Sequence, residues 1–457
     1  MVLNWVIETM NKIDKIADTE SLCPICFKKI PAQKVMYTRD EPQVFLEKSC
    51  PKHGKFKTLI WKGKPDIRQW MRKKTSRMPD LHDNLVEKGC PYDCGLCMHH
   101  RQETCTALIE VTNRCNLSCS YCFAQAEIEE AEDPDIKMIE ERFDRLLSRG
   151  IRCNLQLSGG EPTLREDLAE IIKMGRSKNL FLIQVNTNGI RIAQDEAYLK
   201  KLKEAGLDSI YLQFDSTCDQ VYTRLRGRKL FDLKKQAIEN CQKHQVGVVL
   251  VPTLVPEINT HHIGEMIKFA LAYTPTVRGI HFQPVSYFGK IPSDGAVSNR
   301  LTIPEVIREI EKQTDGLIKA DSFKPPGCEN SFCSFHGNYI YRPDQKIITL
   351  TQNTSSCCSK TIKAEEGARK AKEAVLRTWS SPTAELPEKV EESSGWDEML
   401  TDLRRHSFTI SGMTFQDVWN LDLERVRDCC IHVVTAKGQL VPFCIYYLTN
   451  SHGKSFY

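Results

Sequence analysis

The 457-residue chain has no apolar run near the roughly 18 residues that a membrane-spanning helix needs. Its N-terminal stretch, MVLNWVIETMNKIDKIADTE, scatters charges throughout and lacks the apolar core of a secretory signal. An excess of one charge is also missing. Lys and Arg total 63 against 59 Asp and Glu, a formal +4, so no nucleic acid partner is expected. The composition is neither collagen-like nor that of a disordered chain. These absences leave a protein expected in the cytoplasm, with a peripheral position at a membrane kept open. Its length suggests about two to four domains with ordinary hydrophobic cores.

What the chain has in excess is cysteine, 20 in all. In a reducing compartment, grouped cysteines bind metal or do chemistry more often than they form disulfides. Here they are grouped. Cys23, Cys26, Cys50 and His53 form two ligand pairs around a strand-rich spacer. Three thiolates and an imidazole suit a closed tetrahedral site for one zinc or iron, resembling a zinc-ribbon or rubredoxin-like knuckle. An exposed, unligated His53 is the competing reading. Cys90, Cys94, Cys97 and Cys105 offer four thiolates, enough for a fully ligated auxiliary [4Fe–4S] cluster, with a second zinc ribbon as the alternative. Cys153, Cys218 and Cys241 stand alone in apolar patterns and read as small buried hydrophobes.

The third group, Cys115, Cys119 and Cys122, has only three thiolates, where a [4Fe–4S] cube normally takes four. One iron would stay open. Upstream, TALIEVT alternates and is β-branched, so the cysteine loop follows the C-terminal end of a strand.

With Asn113, Arg114, Asn116, Leu117, Tyr121 and Phe123 around those cysteines, TNRCNLSCSYCFA closely resembles the cluster loop of the radical SAM superfamily. The resemblance continues through NLQLSGGEPTL (154–164), LFLIQVNTNGI (180–190), SIYLQFDS (209–216), GVVLVPTLVPEIN (247–259) and GIHFQPVS (279–286), with helical stretches between. Such strand–helix alternation implies a parallel sheet with crossover helices. The expected fold is α/β: a partial (β/α)6 TIM-type barrel at 106–312. A metal-knuckle and first-cluster segment (1–105) precedes it, and a cluster-binding α+β extension (313–457) follows. The site is expected at the C-terminal strand ends.

The resemblance also implies roles. Cys115, Cys119 and Cys122 would hold three irons, and S-adenosylmethionine would chelate the fourth. One electron then cleaves a C–S bond to give methionine and a 5′-deoxyadenosyl radical, the cofactor supplying the hard chemistry. Tyr121 and Phe123 would flank the cofactor. Gly159 and Gly160 would admit the methionyl group beside Glu161. Asn188, Gln213 and Asp215 suit ribose or carboxylate contacts, and Val251 with Thr253 would lie near the adenine. A reductant such as ferredoxin or flavodoxin is an expected partner.

The groups around the barrel resemble the tetraether-synthase-like branch, whose members carry several clusters. Cys328 and Cys333 are expected to join Cys430 and Cys444 at a further auxiliary cluster, with Cys357, Cys358 and Cys429 as rival ligands. Strands IHVVT and LVPFCIYYL would form a hairpin that pairs Cys430 with Cys444. Polar residues 361–396 read as a loosely packed, mobile helix and linker. RLRGRK (224–229) reads as a solvated face, with phosphate or an acidic partner as the alternative.

The leading expectation is hydrogen abstraction from an unactivated carbon, with C–C joining on a lipid or other hydrophobic substrate as the branch would have it. Methyl transfer or modification of a pterin or peptide is the runner-up. A non-catalytic electron-transfer protein is the reading from another class, and the three-cysteine loop speaks against it.

Overall fold

The computed structural model describes residues 11–38, 40–72, 74–75, 86–126, 132–151, 153–180, 182–292, 299–351, 362–379 and 405–457. Cys357, Cys358 and residues 380–396 of the expected linker lie outside them. Among the described residues no helix is long and apolar enough to cross a membrane.

The N-terminal unit is a four-stranded antiparallel ribbon: β1 (Asn11–Leu22), β2 (Lys29–Thr38), β3 (Pro42–Cys50) and β4 (Gly54–Lys62). It is bolted to the rest of the molecule by buried polar contacts. Lys34 pairs with Asp422 at 2.5 Å, and Lys48 donates to Val418 O at 2.6 Å. The amphipathic helix Ile303–Gln313, capped by Thr302 and Glu305, buries Ile303, Val306, Ile307 and Ile310. From it Arg308 donates to Lys62 O at 2.8 Å.

Six parallel strands follow in chain order: β5 (Thr106–Thr112), β6 (Asn154–Gly159), β7 (Leu182–Thr187), β8 (Ser209–Gln213), β9 (Gly247–Val251) and β10 (Val277–Pro284). The C-terminal segment supplies β11 (Ser334–Tyr341), β12 (Ser407–Met413), β13 (Ile431–Val434) and β14 (Leu440–Pro442). These join the same sheet at both edges. β12 runs parallel to β10 and antiparallel to β11, while β13 runs parallel to β5 and antiparallel to β14. The sheet path β11–β12–β10–β9–β8–β7–β6–β5–β13–β14 does not close. The α/β partial barrel is therefore the fold, and the C-terminal segment is woven into its sheet.

Strand alternation explains the layers. On β6, Leu155 and Leu157 point outward into the helix layer, and both are fully buried there. Asn154, Gln156 and Ser158, in the other phase, line an internal cavity. Ile183, Val185, Ile210, Leu212, Ile280 and Phe282 repeat the outward pattern on the neighbouring strands. A parallel strand buried on both faces would read as continuously apolar, so a polar phase signals a hollow interior.

Two expectations fail here. The segment after β14 turns into a short helix, Phe443–Tyr446, so Cys444 leaves the hairpin where the strand was expected to continue. Residues 364–379 form a helix with Ala368 buried and Trp379 packed on Tyr211, a seated element where a loose one was expected.

Candidate functional site

The cysteine loop leaves β5 at Thr112 and folds across the tip of β6. Gly160 N donates to Thr112 O at 2.8 Å and Glu161 N to Arg114 O at 2.8 Å. A Cβ on Gly159 would strike Thr112 O, and one on Gly160 would strike Arg114 O. Gly159 also sits at φ +116°, which disfavours any side chain. The glycine pair thus admits the loop's own backbone, a closer partner than the methionyl group expected from sequence. Arg114 grips Asp133 with two nitrogens and closes the base of the loop.

A chain of buried polar groups links the strand tips. Glu161, only 1 % exposed, accepts from Thr163 N and Oγ1 at 3.1 and 2.6 Å, Thr187 Oγ1 at 2.7 Å and Asn188 N at 2.6 Å. Those donors occupy its carboxylate and lock the tips of β6 and β7 together. Asn188 donates to Asn116 Oδ1 at 2.7 Å, tying the tip of β7 to the cysteine loop. Lys234, fully buried, donates to Asn188 O and to Gln213 Oε1. Gln213 donates to Asp215, and Asp215 receives Arg226 through two nitrogens at 2.6 and 2.9 Å. Arg226 reaches on to Tyr121 O at 3.2 Å and Thr253 Oγ1 at 3.1 Å, and it lies close enough to Cys119 for the two charges to act on each other. Burial works against the Arg226 charge, but Asp215 and Cys119 hold its pKa above the ordinary value. Burial pulls the Lys234 ammonium down to about 7.

Arg226 and Lys234 were missed in the sequence. Arg224, Arg228 and Lys229 are exposed as expected of a solvated face, whereas Arg226 is buried in the site. Its signal was position: it ends the helix Asp219–Arg226, which buries Val221, Tyr222 and Leu225 at helical spacing.

Cys115, Cys119 and Cys122 open on a cavity of about 640 Å³. Burial raises the Cys115 thiol to about 12 and lifts Cys122 as well. Such thiols keep their protons unless a cationic centre takes the thiolates, which is the donor chemistry an iron–sulfur cluster needs. Gly159, Gly160, Glu161, Asn188, Gln213, Val251 and Thr253 line the same cavity. Phe123 faces it too, packed at 5.4 Å on Phe443 and 4.9 Å on Tyr447. The expected strand-tip residues thus line one cavity, except Asp215, which is fully buried behind it with its carboxylate held by Arg226 and Gln213.

The remaining thiols regroup. Cys23, Cys26, Cys50 and His53 place their donor atoms within 4.8 Å of one another, the geometry of a single-ion site. Cys105 does not stay with its sequence neighbours. Its sulfur touches that of Cys328, and Cys430 completes a group within 4.8 Å that faces the cavity. The Cα atoms of Cys105 and Cys328 are 7.8 Å apart, wider than the roughly 4.4–6.8 Å of an ordinary disulfide. With a third thiol present, this reads as a metal-binding group. β13 is the cause, because it runs beside β5 and delivers Cys430 to Cys105, whose N–H donates to Cys430 O at 2.8 Å.

Cys430 groups with Cys105 and Cys328, and Cys333 and Cys444, expected to join it, are not in that group. Burial raises Cys444 to about 12, and its thiol neighbour is Cys333. Cys429 is raised by burial and then by Cys444 and Cys333. Cys90 and Cys94 are hydrogen-bonded, with Cys97 and Cys429 also acting on Cys94. Of the three solitary cysteines, Cys153 and Cys241 are buried as expected, while Cys218 is half-buried.

Residues 109–270 match the Radical SAM superfamily, and residues 15–62 match the HMPTM N-terminal zinc ribbon domain. The chain is 35% identical over 476 residues to the 7,8-dihydro-6-hydroxymethylpterin dimethyltransferase of Methanocaldococcus jannaschii, covering 94% of this chain and 92% of that protein. It is 31% identical over 178 residues to the GTP 3′,8-cyclase of Nautilia profundicola, covering 38% of this chain and 55% of that protein. The structure of Streptococcus suis SuiB bound to precursor peptide SuiA aligns with a TM-score of 0.39 at 16% identity, over 48% of this chain and 47% of that one.

Proposed function

Because the chain belongs to the radical SAM superfamily and shares a family with the archaeal dimethyltransferase, we propose that it is a methyltransferase acting on a reduced pterin. The observation that carries this reading is the match to that enzyme across 94% of this chain and 92% of the relative. Membership makes the chain an enzyme that uses a [4Fe–4S] cluster with S-adenosylmethionine and needs an external reductant. When bound, that pair supplies a 5′-deoxyadenosyl radical able to take hydrogen from an unactivated carbon.

In this reading Cys115, Cys119 and Cys122 hold the cluster. Arg226 sets a fixed positive charge beside Cys119 and anchors the loop through Tyr121 O. Glu161 and Lys234 hold the strand tips at fixed spacing, so Asn188 and Gln213 present a preorganised rim to the cofactor, while Asp215 sits behind that rim and holds Arg226 in place. Val251 and Thr253 complete that rim. The ribbon group of Cys23, Cys26, Cys50 and His53 takes one zinc or iron as a staple. The groups Cys105–Cys328–Cys430, Cys90–Cys94–Cys97 and Cys333–Cys429–Cys444 are the candidates for auxiliary clusters. Ferredoxin or flavodoxin would deliver the electron.

The polar inward phase of the barrel favours a hydrogen-bonding heterocycle over the lipid expected from the tetraether-synthase-like resemblance. On the side of β6 and β7, Asn154, Gln156, Ser158 and Asn186 face the cavity and offer hydrogen bonds that a lipid chain would not use, while Leu108, Phe288, Phe415 and Phe443 supply an apolar part of the lining.

The test is anaerobic incubation of the iron-loaded protein with S-adenosylmethionine, a one-electron reductant, 7,8-dihydro-6-hydroxymethylpterin and, as one-carbon donor besides a second S-adenosylmethionine, a methylene-bearing reduced folate. Mass spectrometry should show 5′-deoxyadenosine together with pterin carrying added methyl groups. Formation of 5′-deoxyadenosine with the pterin unchanged would overturn the substrate assignment.

A further inference from the structure

One stretch of the inward wall has hydrogen-bonding capacity that the cofactor rim leaves unused. Gln156 donates to Gln184 Oε1 at 2.8 Å, and Gln184 donates to Ser209 Oγ at 3.0 Å. One layer nearer the strand tips, Asn186 turns its amide nitrogen into the wall, toward Ser158 Oγ at 3.2 Å and Gln156 Oε1 at 3.5 Å. That fixes the other end of the amide. Asn186 lines the cavity, and its Oδ1 is sequestered with no hydrogen-bond partner among the described residues. Asn154, 3 % exposed at the foot of β6, leaves its Oδ1 in the same condition. A sequestered acceptor without a partner costs about 1–3 kcal/mol, so each marks a place where a donor from outside the protein belongs.

The neighbour of Asn186 in the sheet register is Tyr211. Trp379 lies against it, with ring centroids 5.7 Å apart and planes inclined by 37°, and His281 is 5.7 Å from it on the other strand. His281 shares a 2.8 Å hydrogen bond with Ser411, and burial lowers its pKa to about 4, so the imidazole is neutral at pH 7. An uncharged group of aromatic faces beside a lone acceptor suits a flat ring that carries N–H donors on one edge.

We propose that Asn186, with Tyr211 and Trp379, is the subsite that reads the donor edge of a 2-amino-4-oxopyrimidine ring. Asn186 Oδ1 accepts a hydrogen bond from the exocyclic 2-amino group, and the aromatic pair takes the ring face. This deepens the proposed function and rests on it for the choice of ring. A dihydropterin presents this edge, and so does guanine, which makes a guanine nucleotide the other source of the same chemistry.

Binding to the cluster-loaded, S-adenosylmethionine-bound protein tests it without turnover. The probes are 7,8-dihydro-6-hydroxymethylpterin, its analogue with the 2-amino group replaced by oxo, and GTP. On the wild-type protein the oxo analogue should bind about tenfold more weakly than the pterin, since it points an acceptor at an acceptor. Asn186→Leu should weaken pterin binding by about tenfold and erase that preference, with S-adenosylmethionine affinity unchanged. Trp379→Ala should weaken both ring compounds equally. If Asn186→Leu fails to fold, the comparison of the two ring compounds on wild-type protein still decides. Equal binding of pterin and oxo analogue would overturn the subsite while leaving the methyltransferase reading intact. Tight GTP binding with the same Asn186 dependence, and none of pterin, would support the subsite and overturn the pterin reading. Binding of neither ring would overturn both.

Discussion

The ribbon knuckle and the barrel-mouth loop are built from the same side chain and serve opposite ends. In the ribbon, Cys23, Cys26, Cys50 and His53 converge within 4.8 Å, with Cys23 and Cys50 buried and His53 Nδ1 within 3.4 Å of Cys23 Sγ. All four donors point at one spot, which leaves no room for substrate. In the loop, Cys115, Cys119 and Cys122 face a cavity of about 640 Å³, and the surrounding charges come from Arg226 and Glu161 instead of a fourth thiol of the loop. A closed ligand set stores folding energy. An open one leaves a coordination position for chemistry. The difference lies in ligand geometry, and cysteine content alone would not reveal it.

The strongest way to break this contrast is Cys119→Ala. It should bring 5′-deoxyadenosine formation to background and leave the ribbon ion in place, as read by metal analysis after anaerobic purification. Loss of the ribbon ion as well would mean that the two sites are not separable. Cys50→Ser makes the reciprocal test. For knuckles of this kind the ion's binding energy is folding energy, so the ribbon should lose its ion and its protease resistance. The loop's reduced-cluster signal in electron paramagnetic resonance should persist. Its disappearance would show that the ribbon, docked through Lys34–Asp422 and Lys48, holds the barrel mouth in shape.

The barrel and the open loop were legible because they are local. Each strand announces itself by alternation, and the Cys-x3-Cys-x2-Cys loop and Gly159–Gly160 lie within single turns. The polar phase of those strands was equally present in NLQLSG and SIYLQ, and it marks the wall of the cavity. Thiol partnership was not legible. Cys430 meets Cys105 only because β13 joins the sheet beside β5, and nothing in residues 431–434 says which edge they will take. Lys234 and Arg226 were hidden for a different reason. Both sit on helices whose exposed neighbours make them look like ordinary surface charge, and only the packing of those helices turns them inward.

Arg226 sharpens the contrast further, because its buried pair with Asp215 sits beside the open loop's cysteines, whereas the ribbon's buried pair, Lys34–Asp422, docks it to the rest of the molecule. Arg226→Gln strands Asp215, which has no exposure, and should cost about 3–5 kcal/mol of stability. Denaturant melts measure this. The same variant should loosen cluster binding at the loop, seen as faster iron loss to a chelator, while ribbon metal release is unchanged. Equal acceleration at both sites would assign Arg226 to global stability alone.

The smallest effect separates the barrel interior from the ribbon by pH. His281 is 7 % exposed, and burial lowers its pKa from 6.5 to about 4. Between those two values the unfolded chain binds a proton that the folded chain refuses, so stability is full above pH 6.5 and falls as the solution is acidified toward pH 4. The loss assignable to this one group is at most about 3 kcal/mol. His281→Asn keeps a polar partner for Ser411 and removes the titration. Its melting temperature should therefore fall less steeply than that of the wild type between pH 6.5 and 4, with the two curves parallel above pH 7. Curves parallel across the whole range would show that His281 gains no proton on unfolding, and the neutral aromatic group beside Asn186 would need another description.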